Sequence, residues 1–443
     1  MQPGPAAAEV ALSAHGRETV PVTAPPPPST PGAVADSTPR RPPRRTLSEL
    51  DLSGRDPIGV LAAQDASRVP ELVPIRYGRM LASPLAFYRG AAAVMFADLA
   101  QSPATELTVQ LGGDAHLMNF GGFATPERTL VFDINDFDET RRGPFEWDVK
   151  RLAASMELAA RHRGVGQNEA ALATVRAYRE ALRAFAGLGE LDVWYARLDA
   201  DALLRALQTQ HAPKLQRELQ HAIDKARAND GRRALKSLTR LVDGQPRIVS
   251  EPPLIVPGLD LRAELEEYRG SLAPDRRALL DRFGYVDGAR KVVGVGSVGT
   301  RCSIALLLGH DGGDPLFLQF KEAADPRAVV EGQRLVQAVS DIFLGWTKDT
   351  YVRQLRDWKL SIDIEAILPR GLVDYGRGCA WTLARAHSRS GDRRAIAAYL
   401  GSSGRFDDAI ARFAVAYADV TENDHAALQR AVADGRLQAQ QGV

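Results

Sequence analysis

The stretch GGDAHLMNFGGFATPERTLVFDINDFDET, residues 112–140, constrains the fold more than any other. It holds six acidic side chains, one histidine and two asparagines in apolar surroundings. Four of the carboxylates, Asp133, Asp136, Asp138 and Glu139, fall within seven residues. Like charges this close repel, and enclosing them is costly unless a positive group joins them. Any fold for this chain must therefore bring a cation to this segment. NFGGF and TLVFDIND read as two strands joined by the turn-like ATPER, with TELTVQLGG as a short strand before them. The acidic groups then lie on a hairpin and its flanking loops, where a rigid scaffold usually presents binding groups.

Around this centre the chain reads as a mixed α+β protein. Eleven of the 27 prolines lie in the first 43 residues, so residues 1–45 are expected to be a disordered tail whose closing RRPPRR is a solvated linker. LVPIRYGRMLASPLAFYRGAAAVMFADLAQS reads as helical with a break near Ser83-Pro84. From Phe145 to about Ala228 apolar residues recur every three or four positions, as helices require. Residues 243–258 read as a loop, and LRAELEEYRGSLA resumes helix.

A second strand-rich region opens near Lys291. KVVGVGSVGTRCSIALLLGHDGGDPLFLQFKEA reads as three strands with a GHDGGDP hairpin, followed by a helix with Asp325 as its cap and Pro326 in its first turn. YVRQL offers one more strand, and two long helical stretches close the chain.

Composition narrows the partners. A net charge of +1 gives no reason to expect nucleic acid, and no apolar run reaches the ~18 residues of a membrane helix. The N-terminal segment lacks the pattern of a secretory signal, and two cysteines, Cys302 and Cys379, without metal-ligand spacing fit a reducing cytoplasm.

The chemistry is readable in two places. Asp114, Asn119 and Asp136, with Asp133 and Asp138 as further candidates, supply hard oxygen ligands suited to Mg²⁺, or to Mn²⁺, over zinc. His116 is expected to orient their loop by hydrogen bonding. Gly294, Gly296 and Gly299 in GVGSVG lie between two strands, unlike a dinucleotide-binding turn, where a helix follows the glycines. A third strand then delivers Lys321, and the next helix offers Glu331 ten residues on. Strand, glycines, strand, lysine and helical glutamate is the succession of a kinase nucleotide site. The arginines of RYGRM and FYRG, Arg76, Arg79 and Arg89, and Arg353 and Arg356 in YVRQLRDWK, suit either phosphate or the acidic cluster.

GGDAHLMN resembles the G-D-x-H-x-x-N motif of aminoglycoside and choline phosphotransferases, relatives of the protein kinases, and FDINDFDE resembles their metal-binding segment. RGPFEWDVKRLA resembles the stretch that follows. Aligning Asp136 with the metal aspartate places Asp148 at the family's later aspartate without a gap, whereas Asp133 requires an insertion. Over roughly residues 50–435 the chain is also similar to a bacterial family known as domain of unknown function 2252, through RYGRMLASPLAFYRGAA, GPFEWDVKRLAAS, VEGQRLVQAVSDIFLGW and LARAHSRSGD.

The resemblance implies a two-lobed, protein kinase-like fold in permuted order, because the catalytic segment precedes the glycine loop. The expected organisation is a metal-binding, mainly helical large lobe over 46–285, a small antiparallel β lobe over 286–365, and helices over 366–443 packing on the large lobe. Asp114 would be the base, Asn119 and Asp136 would hold Mg²⁺, and Lys321 paired with Glu331 would hold ATP phosphates. The implied function is ATP-dependent phosphoryl transfer to a hydroxyl-bearing small molecule or protein. A metal-dependent phosphoester hydrolase and a nucleotide-binding regulatory module without turnover are the alternatives.

Overall fold

Two antiparallel ladders bring the acidic loops together. Strand β1 (Thr108–Leu111) pairs with β4 (Arg141–Pro144), with Leu111 opposite Arg141. Between them the hairpin β2 (Phe120–Ala124) and β3 (Leu130–Ile134) pairs Phe120 with Ile134. Residues 112–119 and 135–140 are therefore the two connections between the same pair of ladders, and they run side by side. Gly113 makes the approach possible: its φ is +89°, and a Cβ there would lie 2.2 Å from the Glu139 carbonyl oxygen. The structure is a computed structural model describing residues 41–200, 213–228, 231–310, 312–355, 358–361, 363–365, 367 and 369–442.

The fold is mixed α+β, about half helical, with antiparallel sheets. The expected tail at 1–40 lies outside the described residues. Residues 41–45 correct the reading of a solvated linker. Arg44–Ser48 forms a short 3-10 turn with Leu47 buried, and the Arg44 guanidinium donates to the Tyr399 carbonyl. The helical stretch after Leu72 breaks as read at Ser83, whose hydroxyl accepts from the Ala86 N–H at 3.0 Å. It breaks again at Ala91.

The main core gathers on the helix Phe145–Arg163, with Glu169–Ala186, Pro369–Ser390 and Arg405–Ala433 packed against it. Glu146 and Asp148 in its first turn and Arg161, His162 and Arg163 in its last complement the helix dipole, and Gly164 at φ +66° ends it. Phe145 stacks on Tyr178 and Phe406.

One charge in this core is poorly served. Lys150 places its Nζ 4.4 Å from the Phe413 ring centroid, with no hydrogen-bond partner. Burial pushes its amine from the ordinary 10.5 down to about 8, against the pull of Glu146 one turn away. The folded state resists protonation, so this penalty is absent above pH 10.5, grows as pH falls, and is complete below about 8. Lys150→Met should raise stability at pH 7 by up to roughly 3 kcal/mol. Denaturant unfolding at both ends of the window checks this: the gain should vanish above pH 10.5.

A second sheet has six strands, in the spatial order Gly345–Trp346, Thr350–Gln354, Pro315–Glu322, Cys302–Leu308, Gly284–Lys291 and Ile255–Pro257. In chain order β5 (Leu198–Asp199) precedes the hairpin β6 (Thr239–Val242) and β7 (Gln245–Ile248). Then come β8 (Ile255–Pro257), β9 (Gly284–Lys291), β10 (Cys302–Leu308) and β11 (Pro315–Glu322). After the helix Pro326–Val336 follow β12 (Gly345–Trp346), β13 (Thr350–Gln354) and β14 (Leu360–Ser361). β14 and β5 flank the β2–β3 hairpin.

Residues 243–258 thus contain strands where a loop was read. Asp243 and Gly244, both at positive φ, make the two-residue turn that a hairpin favours. Asp325 caps the helix Pro326–Val336 as read, accepting the Ala328 N–H at 2.9 Å. Alternation along β10 sends Ala305 and Leu307 into one core and Ile304 and Leu306 into another. Among the described residues no helix is long and apolar enough to cross a membrane.

Candidate functional site

The cation that the acidic segment demands is Lys321. Strand register sets its place. Lys321 lies opposite Cys302 on β10 and opposite Tyr351 on β13, so these side chains share one face. Two residues along, Gln319 and Arg353 pair on that same face. Lys321 Nζ reaches the two Asp136 carboxylate oxygens at 3.0 and 3.2 Å and also donates to Asp138. The Tyr351 hydroxyl donates to Asp138, and Arg353 donates to the Asn135 carbonyl at 2.8 Å. Burial works against the Lys321 ammonium, but Asp136 and Asp138 overcome it, so its pKa rises. The reciprocal effect holds the Asp136 carboxyl well below its usual range despite burial, through Lys321 and Arg353. Lys321 is 2% exposed and Asp136 34%, so the carboxylate, not the amine, faces solvent.

Across the crevice stands Asp114. Arg151 grips its Oδ1 through Nε at 2.8 Å and through Nη2 at 2.7 Å, leaving Oδ2 toward His116 Nε2 at 3.6 Å. His116 Nδ1 accepts the Met118 N–H at 3.1 Å, so the ring proton sits on Nε2. Burial pushes the His116 pKa down to about 4 even beside Asp114, and the ring is neutral at pH 7.

Asn119 lies on the floor between the two loops. Its amide nitrogen donates to the carbonyls of Asp114 and Asp136, each at 3.0 Å. Both amide protons are thereby used, and the amide oxygen remains available to a cation. Asp148 fixes the turn before Asp114 by accepting from the Gly112 and Gly113 N–H groups at 2.7 and 3.1 Å. His387, itself bonded to Tyr178, stands behind Asp148.

The glycine loop reaches this crevice from the other end of the chain. Ser297 Oγ donates to Asp138 Oδ2 at 3.0 Å. Gly294 and Gly299 take positive φ, of +66° and +91°. Arg79 donates to the Gly294 carbonyl at 2.6 Å and the Val69 N–H to that of Gly299 at 2.8 Å. Gly296 lies against the Arg89 backbone.

Two expected roles are corrected. Glu331 does not meet Lys321: it is exposed and pairs with Arg327 at 2.7 Å, one turn back on the outer face of its helix. Asp133 is not in the crevice. It is 1% exposed and bound by Arg385 at 2.7 and 2.8 Å, with the backbone N–H groups of Ile134 and Ala338 completing its bonds. Those bonds occupy both Asp133 oxygens, whereas the Asp136 carboxylate is 34% exposed. Arg76 pairs with Asp65 away from the cluster, and Arg356 lies outside the described residues.

Sequence reasoning missed Arg151, Tyr351, Ser297 and Glu139. Tyr351 was discoverable, because it is two residues from Arg353 on one strand and so shares its face. Glu139 sits at the open rim, where enclosure and the charges of Asp114, Asp138 and Asp136 raise its pKa well above the ordinary value. Water reaches this side chain, so the like charges are the firmer cause.

Asn119, Asp136 and Asp138 form a donor set that fits Mg²⁺, which takes one or two protein carboxylates and completes its shell with water or phosphate. Among the described residues no three His, Cys, Asp or Glu side chains are grouped to cage a metal alone. A concave surface of about 490 Å³ near the β6–β7 hairpin shares no residue with the crevice.

Fold and site together define a mixed α+β protein whose acidic crevice is bridged by a strand lysine and overlain by a glycine loop. The chain belongs to the bacterial family described as "Uncharacterized protein conserved in bacteria (DUF2252)", which matches residues 68–431. No curated protein and no solved structure matches the chain.

Proposed function

We propose that the crevice binds Mg²⁺–ATP and transfers its terminal phosphoryl group to a hydroxyl of an acceptor, within a two-lobed kinase-like fold of permuted order. The observation that carries this reading is Lys321, held by Asp136 and Asp138 beneath a loop of glycines. The partners Lys321 and Asp136 are 185 residues apart, and Ser297 and Asp138 are 159 apart. Segments far apart in sequence thus meet in space, and this meeting supports the nucleotide reading. The lysine favours this reading over a hydrolase that uses the carboxylates alone.

In this scheme Asn119 and Asp136 would hold Mg²⁺, which would supply charge neutralisation at the phosphoryl oxygens. Lys321 turns part of its ammonium from the carboxylates to the nucleotide phosphates. Asp114 Oδ2 accepts the proton of the acceptor hydroxyl. Arg151 fixes the Asp114 rotamer through Oδ1, and neutral His116 stands 3.6 Å from the other oxygen.

Thermal unfolding with and without Mg²⁺–ATP tests the nucleotide site. A ligand at ~100 times its dissociation constant should add about 2.7 kcal/mol to the parent. Lys321→Met should remove that gain. An unshifted parent, or a variant that gains as much, would sink the reading.

A further inference from the structure

Arg89 ends the helix Pro84–Gly90 beside the crevice, between two residues whose backbones are tied to other arginines. The Tyr88 carbonyl accepts from Arg151 at 2.7 Å, and that of Gly90 from Arg76 at 3.1 Å. These neighbours are well partnered: Arg76 by Asp65 and Gln64, and Arg151 by Asp114. Arg89 makes no hydrogen bond or ion pair with any described residue, and its Nε is sealed from water without an acceptor.

The position of this guanidinium is informative. A side chain on Gly296 would come within 3.1 Å of the Arg89 carbonyl oxygen, so the residue adjoins the glycine loop. Asp114 attracts its charge, and that charge opposes protonation of His116. Arg89 therefore stands where the base and the loop converge. Asp114 makes no ion pair with it: the Asp114 carboxylate has Arg151 at Oδ1 and His116 near Oδ2. Arginine stays protonated under any ordinary condition, so this half-buried guanidinium, whose Nε is shut off from both water and an acceptor, carries a standing penalty. A methionine or leucine would fill the same space without it. A planar fork of donors matches the oxygens of a phosphate.

We infer that Arg89 is an anion-binding group that takes the oxygens of a phosphate lodged between Asp114 and the Gly294–Gly299 loop. The identity of the ligand rests on the phosphotransferase reading; the choice of residue rests on the unpaired guanidinium. The phosphate is either the terminal one of the nucleotide or one carried by the acceptor, and both present the same oxyanion.

Calorimetric titration of the full chain with Mg²⁺–ATP, Mg²⁺–ADP and inorganic phosphate tests this, in the parent, Arg89→Gln and Lys321→Met. Arg89→Gln should weaken inorganic phosphate by roughly tenfold or more, the effect of one charge-assisted hydrogen bond. An equal loss for ATP but not ADP identifies the terminal nucleotide phosphate. A loss confined to inorganic phosphate identifies a phosphate on the acceptor. Arg89→Met should melt above the parent, a rise that a structural arginine would not give.

The inference is overturned if Arg89→Gln binds phosphate and ATP like the parent, or if Arg89→Met melts lower with binding unchanged. The two readings fail separately. Phosphate binding through Arg89 without any ATP binding would sink the nucleotide site alone. ATP binding through Lys321 that ignores Arg89→Gln would sink only this inference.

Discussion

Arg385→Ala is expected to lower folding stability by about 3–5 kcal/mol, because it strands a buried carboxylate. Asp133 and Arg385 are each 1% exposed. With the guanidinium gone, Asp133 keeps only the Ile134 and Ala338 N–H groups. Water cannot replace the lost donor at that depth, so the carboxylate must either stay charged without a counter-ion or take a proton. The double variant Asp133→Leu/Arg385→Met should recover most of the loss, since an apolar pair carries no desolvation penalty. The parent also leaves Arg385 Nη1 without a partner, which adds to what the double variant gains. Urea unfolding of the three proteins checks this. A single variant within ~1 kcal/mol of the parent would mean that the pair behaves as a solvated surface bridge.

On the proposed phosphotransferase reading, Asp114→Asn is expected to slow phosphoryl transfer by about 10²–10⁴-fold, the usual worth of a positioned general base. Asparagine keeps the shape and can still accept from Arg151, so the loop should hold its course. Release of ADP with water as acceptor provides the measurement, and no knowledge of the natural acceptor is needed. Stabilisation by Mg²⁺–ATP should survive, because Lys321, Asp136 and Asn119 are untouched. A variant that turns over at the parent rate would remove Asp114 from the chemistry. One that loses nucleotide binding as well would make Asp114 a ligand-holding group instead.

Local structure was legible where a short pattern carried it. The β2–β3 hairpin and the strands on either side of the GHDGGDP turn follow from alternation and turn residues close in sequence, whereas the strand before the glycines, read from Lys291 onward, instead runs Gly284–Lys291 and ends there. The Glu331 error was avoidable by the same means. Val329, Val330, Gln333 and Val336 face inward, and Glu331 shares the outward face with Arg327 four residues back. The Asp243-Gly244 turn was likewise present in the sequence and overlooked among prolines.

The pairings that build the site were not legible. Arg385 with Asp133, Arg151 with Asp114 and Lys321 with Asp136 join segments 252, 37 and 185 residues apart. Periodicity reports which face of an element is buried, not which distant element covers it. A carboxylate read as a candidate ligand therefore turned out to be half of a buried ion pair.

The separation of Lys321 from its carboxylates has a consequence for how the protein is made. The acidic segment leaves the ribosome first, and Lys321 follows 185 residues later. At ~5–20 residues per second that is a delay of roughly 10–40 s. During that interval the hairpin has its glycines and apolar contacts but neither Lys321 nor Arg385. Its carboxylates must stay in water, so the nascent chain can close this region only after the lysine strand has emerged. Charge repulsion is therefore expected to hold this region open in the half-made protein until its counter-ions arrive.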